Sequence, residues 1–548
     1  MTMPISPGPQ IPATIAAQPD RVADIVARSL SLHGIRHAFG MPGGEVVTLI
    51  DALALAGVDF HLARHETAAA LMAAGCSVLT GAPGLLVTTV GPGLTNAING
   101  IADAAQEHVP LLVISGVVDR GMRARYTHQV IDHAAILRPL VKASFDIEAG
   151  SAGATVARAL ALALRHPQGP VHLDLAPAMA AQPAIEAPWG PVPETRATLR
   201  ADDPALAPLL ARLAGAARPV ILAGWQAAQA GADMAALAEA LQAPVLTTYK
   251  AKGGLDETHP LALGGAGLSP KADRILLDLL AGADLVLALG YDPIEMRPGW
   301  MDPVPADRLI EITAAPADHA MHRAGQRLLA CPAQAAAALV AALPVAAARD
   351  WWHPARTALD AAFHKPKDWG PHAIIRTLAA HAGPDTVVTV DSGAHRILLS
   401  QIWQARRPAR LLQSAGFCTM AAALPLAIGA AVARPGHRTI AVMGDGGFEM
   451  CAGEMATLRD LNLPVTVVVF QDDSLALIAQ KQAQAGLSPR ATALGRSDLA
   501  TVARGFGAHG DSVTDAPALA RALDDAAARP GATLITCRFD ADDYHDAF

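Results

Sequence analysis

The feature that most constrains this chain is a recurring alternation of short, continuous apolar runs with helix-length segments. Leu85–Val90, Leu111–Ser115, Val220–Ala223, Ala283–Leu289, Val387–Val390, Thr439–Met443 and Val465–Phe470 all have this form. A strand that is apolar on both faces needs cover on both faces, as in a parallel sheet between two helix layers. The stretches between are amphipathic or alanine-rich and long enough to be those helices. The pattern extends over 548 residues, more than one core supports. Two segments interrupt it: Pro183–Pro204, rich in proline and polar residues, and Arg349–Gly370, rich in charge, Trp and His. Read as linkers, they leave domains at 21–182, 205–348 and 371–548 behind a proline-rich arm at 1–20. The fold class expected is α/β, with three doubly wound parallel-sheet domains.

The first and third blocks read as distant copies. Leu85–Val90 runs into Gly91-Pro92-Gly93, then a helix, then Val109-Pro110 and the strand Leu111–Ser115. Thr439–Met443 runs into Gly444-Asp445-Gly446, then a helix, then Leu463-Pro464 and Val465–Phe470. One strand–glycine turn–helix–proline–strand unit used twice points to duplication, although α/β folds reuse such units in any case.

Composition removes several classes of function. A net charge of −8 argues against a dedicated nucleic-acid binder, which would show a basic face. Mean hydropathy is positive, at +0.29. Yet the longest apolar run, Ala335–Ala348, is mostly alanine and is broken by Pro344, too weak to span a bilayer. The arm has no cationic, apolar block of the kind that opens a signal peptide. Five scattered cysteines without a CxxC imply neither zinc nor a disulfide framework, and reduced cytoplasmic thiols fit them.

The most informative segment is Met443-Gly444-Asp445-Gly446-Gly447-Phe448, followed by Gln471-Asp472-Asp473-Ser474. Glycines after a strand are common to any βα turn. An acid in the turn and a second acid past the next strand are more specific. Adjacent strand ends lie close together, so Asp445 and Asp472 can converge on one hard cation such as Mg²⁺, which often keeps a phosphate in its shell. A helix starting near Gly447 would direct its positive end at that phosphate. The bland alternative is a helix cap plus a turn acid.

This spacing resembles the thiamine-diphosphate signature of the acetolactate synthase and pyruvate decarboxylase superfamily. The resemblance covers nearly the whole chain after the arm. It includes Phe39–Gly44, Arg64–Ala69, Gly91-Pro92-Gly93-Leu94-Thr95-Asn96, Asp391-Ser392-Gly393-Ala394-His395 and Thr419–Pro425. In the middle block Gly290-Tyr291-Asp292-Pro293-Ile294-Glu295 resembles catabolic, flavin-free acetolactate synthases.

The resemblance implies pyrimidine-binding, central and diphosphate-binding domains, in that order. It implies Mg²⁺ held by the Asp445 and Asp472 carboxylates and the Ser474 carbonyl. It assigns Met420 as the apolar prop under a bent thiamine diphosphate. Gly91, Pro92, Gly93, His395, Gly444, Gly446, Gly447 and Leu477 become further cofactor contacts. Glu66 matches the glutamate that hydrogen-bonds the aminopyrimidine and so helps draw the proton from the thiazolium carbon. Without the resemblance, Glu66 reads as an exposed first-turn acid. Gln129 matches a glutamine that contacts substrate or cofactor, and the flanking His128 and His133 read as surface residues. In this superfamily the glutamate and the metal site come from different subunits, so a homodimer or homotetramer is implied.

The chain also departs from the pattern. Gln471-Asp472 stands where many relatives carry two asparagines. Ser115–Asp119 lacks the paired histidines of the pyruvate decarboxylase branch, which favours carboligation over aldehyde release. Lys481 stands where the synthases carry tryptophan or glutamine in a pocket shared with Gln129 and Leu477. A cation there suits a second anionic group on the substrate, unless the lysine reaches solvent. Gly264-Gly265-Ala266-Gly267 follows no strong strand, so FAD is not expected. The activity expected is decarboxylation of a 2-oxo acid with transfer to an acceptor. The alternatives are a non-ligating decarboxylase or C–C lyase of the same fold, a flavin oxidase, and a catalytically silent homologue.

Overall fold

The computed structural model describes residues 20–193, 197–294, 296–316 and 319–547. The arm before Asp20, and Glu295 of the middle-block motif, lie outside the described residues. Three six-stranded sheets follow one another along the chain, and every pairing of neighbouring strands is parallel.

The first sheet holds β1 (His37–Met41), β2 (Asp59–Leu62), β3 (Gly84–Thr88), β4 (Leu111–Gly116), β5 (Ser144–Asp146) and β6 (Val171–Leu175). The second holds β7 (Pro219–Ala223), β8 (Val245–Thr248), β9 (Ala262–Ala266), β10 (Leu285–Leu289), β11 (Leu309–Thr313) and β12 (Gln326–Leu329). The third holds β13 (Val387–Val390), β14 (Leu411–Gln413), β15 (Thr439–Gly444), β16 (Val465–Gln471), β17 (His509–Val513) and β18 (Thr533–Arg538). The central strands are buried along their length, as the continuous apolar runs require.

Strand order runs β2-β1-β3-β4-β6-β5 in the first sheet and β14-β13-β15-β16-β18-β17 in the third. These are one topology, which supports the duplication reading. The middle sheet runs β12-β11-β10-β7-β8-β9 and differs from both.

The first and third domains share a core. Helix Glu66–Thr80 crosses helix Ala423–Ala433, and both sit in one apolar cluster with β3, β4, β15 and β16. At the crossing, a Cβ added at Gly75 would lie 2.6 Å from the Leu426 carbonyl oxygen, and one at Gly429 would fall on that of Met72. Only glycine permits that backbone approach.

Two expectations need correction. The segment Arg349–Gly370 is not simply a linker, because it contains helix His353–Phe363, whose Leu359 and Phe363 join the core of the middle and third domains. The helix after β15 starts at Asp445, not near Gly447, and is only 7 residues long. The Gly264–Gly267 cluster falls in and just after edge strand β9. A Cβ at Gly265 would meet the Tyr249 ring and one at Gly267 the Met296 sulfur, so packing within the chain accounts for both glycines. Among the described residues no helix is long and apolar enough to cross a membrane.

Candidate active site

Three neighbouring strands of the third sheet end side by side, with β13 paired to β15 and β15 to β16. Their carboxyl ends deliver Asp391-Ser392-Gly393, Gly444–Gly447 and Asp472–Ser474 to one crevice, where ligands of open α/β sheets bind. The crevice opens into a cavity of about 500 Å³. Its walls include His395, Met420, Gly444–Gly447, Asp472, Ser474, Leu477 and Lys481, which the sequence had singled out. Leu268, Pro270 and Arg297 of the middle domain close another side, and no sequence signal marked them.

The two acids face each other across adjacent strand ends. Asp445 is buried, its Oδ1 accepting the Gly446 N–H and its Oδ2 the Asp473 N–H, both at 2.8 Å. Asp472 Oδ1 accepts the Ser474 N–H at 2.9 Å. Burial pushes Asp445 up to about 6. Burial, and then the Asp445 charge, push Asp472 up to about 8. Among the described residues neither acid has an ion-pair partner. Two crowded carboxylates without a counter-charge form a donor set suited to a hard cation. Gln471 turns away, its amide donating to Asp473 Oδ1 and the Ser497 carbonyl.

The opposite wall carries neutral polar groups beside the Arg396 cation. His395 is 3% exposed, and burial and then Arg396 depress it to about 3, so the ring stays neutral. His395 Nε2 and Ser392 Oγ are buried and have no hydrogen-bond partner among the described residues. A Cβ at Gly393, where φ is +152°, would press on the His395 ring, so glycine is needed there. Buried polar atoms rarely go unpaired unless a ligand or water completes them. A diphosphate–metal group supplies what both walls lack, so the residues fit thiamine diphosphate with Mg²⁺.

Glu66, Gln129 and Gly91-Pro92-Gly93 do not line this cavity. They form a second cluster in the first domain. Glu66 opens helix Glu66–Thr80 and is 4% exposed, not the exposed acid that helix position alone suggests. Its Oε2 accepts the Asn96 Nδ2–H at 3.0 Å, and a Cβ at Gly93 would stand 3.5 Å from Oε1. Gln129 adopts a left-handed backbone, φ +57°, and its carbonyl abuts Gly91.

His128 is exposed as expected, but His133 is not. His133 is buried, with Nδ1 2.8 Å from Asp174 Oδ1 and Nε2 accepting the Gly91 N–H at 3.4 Å. It ties the Gln129 segment to the Gly91 turn. Sequence reasoning missed it because Asp174 arrives forty-one residues later, on β6.

Comparison with known proteins gives the family. Residues 20–136 match the N-terminal binding domain of thiamine pyrophosphate enzymes, 206–339 the central domain, and 391–537 the C-terminal binding domain. The chain belongs to the thiamine pyrophosphate enzyme family and is a thiamine-diphosphate-dependent enzyme. Within that family its similarity runs to acetolactate synthases. It is 30% identical to acetolactate synthase of Bacillus subtilis over 540 residues, 96% of this chain and 94% of that protein. It is 29% identical to the large subunit of acetolactate synthase isozyme 1 of Escherichia coli, over 95% of this chain and 94% of that one. The large subunit of acetolactate synthase from Lactococcus lactis is 30% identical over 85% of this chain and 83% of that one.

Proposed function

We propose that this enzyme decarboxylates a 2-oxo acid such as pyruvate and transfers the remaining two-carbon unit to an acceptor, as its acetolactate synthase relatives are named for. The observation that carries the reading is one cavity that brings Asp445 and Asp472 together with Ser392 Oγ and His395 Nε2, both without a hydrogen-bond partner among the described residues. When bound, thiamine diphosphate supplies the nucleophilic carbon and the sink for the electron pair released with CO₂. Asp445, Asp472 and the Ser474 carbonyl hold Mg²⁺. Ser392 and His395 would hydrogen-bond the diphosphate, and Met420 would support the cofactor. Release of CO₂ from pyruvate is expected to need both thiamine diphosphate and Mg²⁺, and release without them refutes the reading.

Glu66 holds the proton exchanged with the aminopyrimidine. It lies away from its own chain's cavity, so a second copy of the chain brings Glu66 and Gln129 to that cavity, and the active unit is a homodimer or a dimer of dimers. Mixing inactive Glu66→Gln and Asp445→Asn chains tests this. Random exchange in a symmetric dimer gives half hybrids with one intact site each, restoring roughly a quarter of wild-type activity. Mixtures that stay inactive after demonstrated subunit exchange contradict the shared site.

Ligation is favoured over aldehyde release because Ser115–Asp119 carries no histidine to deliver a proton, and His133 is committed to Asp174 and Gly91. Lys481 sets the acceptor. Helix Ala476–Gln484 turns Leu477, Gln480, Lys481 and Gln484 toward the cavity, and Arg297 lines it from the middle domain. Among the described residues neither Lys481 nor Arg297 has an ion-pair partner. This rim suits an acceptor with a second anionic group. Lys481→Gln is expected to raise KM for such an acceptor about tenfold, the loss of one charge-assisted hydrogen bond. Lys481 is exposed at the cavity rim, and an unchanged KM would show that it serves only solvent.

A further inference from the structure

The loop that carries Met420 is held from outside its own domain. It runs from the end of β14 to helix Ala423–Ala433 and contains two left-handed residues that are not glycine, Cys418 (φ +57°) and Ala421 (φ +64°). Such conformations persist only where surrounding contacts impose them. Within the third domain, the buried Asp391 carboxylate accepts the Ala421 and Ala422 N–H groups at 3.0 and 2.9 Å.

Arg396 of the same domain donates to the Ser414 carbonyl at 2.7 Å and to Cys418 Sγ at 3.3 Å, and further contacts come from the first domain. Helix Pro92–Gln106 and its cap present Asn99, Asp103 and Glu107, spaced four residues apart and therefore on one face. Asn99 Nδ2 donates to Thr419 Oγ1 at 2.9 Å. The Ser414 hydroxyl donates to Asp103 Oδ1 and accepts the Thr419 N–H at 3.0 Å. Glu107 Oε1 accepts the Gly416 N–H at 2.5 Å, while its Oε2 lies 3.4 Å from Lys250 Nζ of the middle domain. Asp103 and Glu107 are 2% and 5% exposed. The three side chains therefore grip the loop at Gly416, Thr419 and, through Ser414, once more.

We propose that this helix face is a clamp that sets the height of Met420 in the cavity, with Asp103 and Ser414 as positioning residues for the cofactor. The inference rests on the reading of Met420 as the cofactor's support. No group in the clamp touches the reacting atoms. It acts by fixing a strained loop, so its loss weakens cofactor binding rather than substrate binding.

Three full-length variants test the clamp: Ser414→Ala, Asp103→Ala and Asp103→Asn. Thiamine diphosphate is titrated calorimetrically at saturating Mg²⁺, and KM for the 2-oxo acid is measured at saturating cofactor. Ser414→Ala removes the relay with little change in volume and is expected to weaken cofactor binding about tenfold, with the 2-oxo acid KM within about twofold of wild type. Asp103→Asn keeps an acceptor for Ser414 and is expected to stay within about threefold, whereas Asp103→Ala behaves like Ser414→Ala. A residue needed only for folding would lower the melting temperature and leave the folded protein's cofactor affinity unchanged. Ser414→Ala that folds and binds the cofactor as tightly as wild type overturns the clamp, whether or not Asp103→Ala folds. A wild-type protein that binds no thiamine diphosphate overturns the underlying reading, and the clamp with it.

Discussion

Glu66→Gln is expected to leave thiamine diphosphate binding intact and to lower turnover by about 10²–10⁴-fold, the range supplied by positioned acid–base groups. The prediction separates a chemical role from a structural one. Glu66 is buried where helix Glu66–Thr80 begins, and its recorded side-chain partner is the Asn96 amide. Glutamine has the same shape and keeps an oxygen to accept that hydrogen bond, so packing survives the exchange. What it cannot do is share a proton with the cofactor's ring nitrogen. Steady-state turnover with 2-oxo acid, set beside calorimetric cofactor affinity, reads the two effects separately. Turnover within tenfold of wild type would remove Glu66 from the chemistry.

Asp445→Asn is expected to abolish metal-dependent cofactor binding. Asp445 and Asp472 crowd each other in a poorly solvated crevice, and the described structure gives neither a counter-charge. A cation compensates both, and without it Asp472 keeps its proton near neutral pH. Asparagine at 445 destroys the ligand set and turns an amide donor toward one of the two backbone N–H groups that Asp445 accepts. At fixed saturating Mg²⁺, wild type with cofactor at one hundred times its dissociation constant gains about 2.7 kcal/mol from the cofactor by linkage. The variant gains close to none of it. Thermal scans with and without Mg²⁺ and thiamine diphosphate measure this directly. A variant still stabilised by the pair would place the metal elsewhere.

What the sequence made legible follows from which contacts are local. Val465–Gln471 and its counterparts are buried on both faces, so their apolar runs announce the sheets unaided. Asp445 and Asp472 were readable because adjacent parallel strands must end side by side. Glu66 was not readable by physics alone. Its burial depends on Asn96, thirty residues later, and only the family resemblance selected it. His133 was misplaced for the same reason, since Asp174 lies on another strand. Helix His353–Phe363 was mistaken for a linker because its apolar face is narrow and finds its partner on helix Pro270–Gly282 of the middle domain. The Asp103–Ser414 contact joins residues 311 positions apart, and nothing in either segment advertises it.

The site's construction also explains why the first and third domains are welded through Gly75 and Gly429. Helix Pro92–Gln106 starts beside Glu66 and ends against the Met420 loop, so a shift between the domains would disturb both clusters.

The central claim is tested most directly by the carbon balance of pyruvate turnover with thiamine diphosphate and Mg²⁺, taken as CO₂ released and product formed. Carboligation predicts one CO₂ for every two pyruvates consumed, with acetolactate as the product and none formed by Glu66→Gln. One CO₂ and one acetaldehyde for each pyruvate would contradict it and make the enzyme a simple decarboxylase on the same fold.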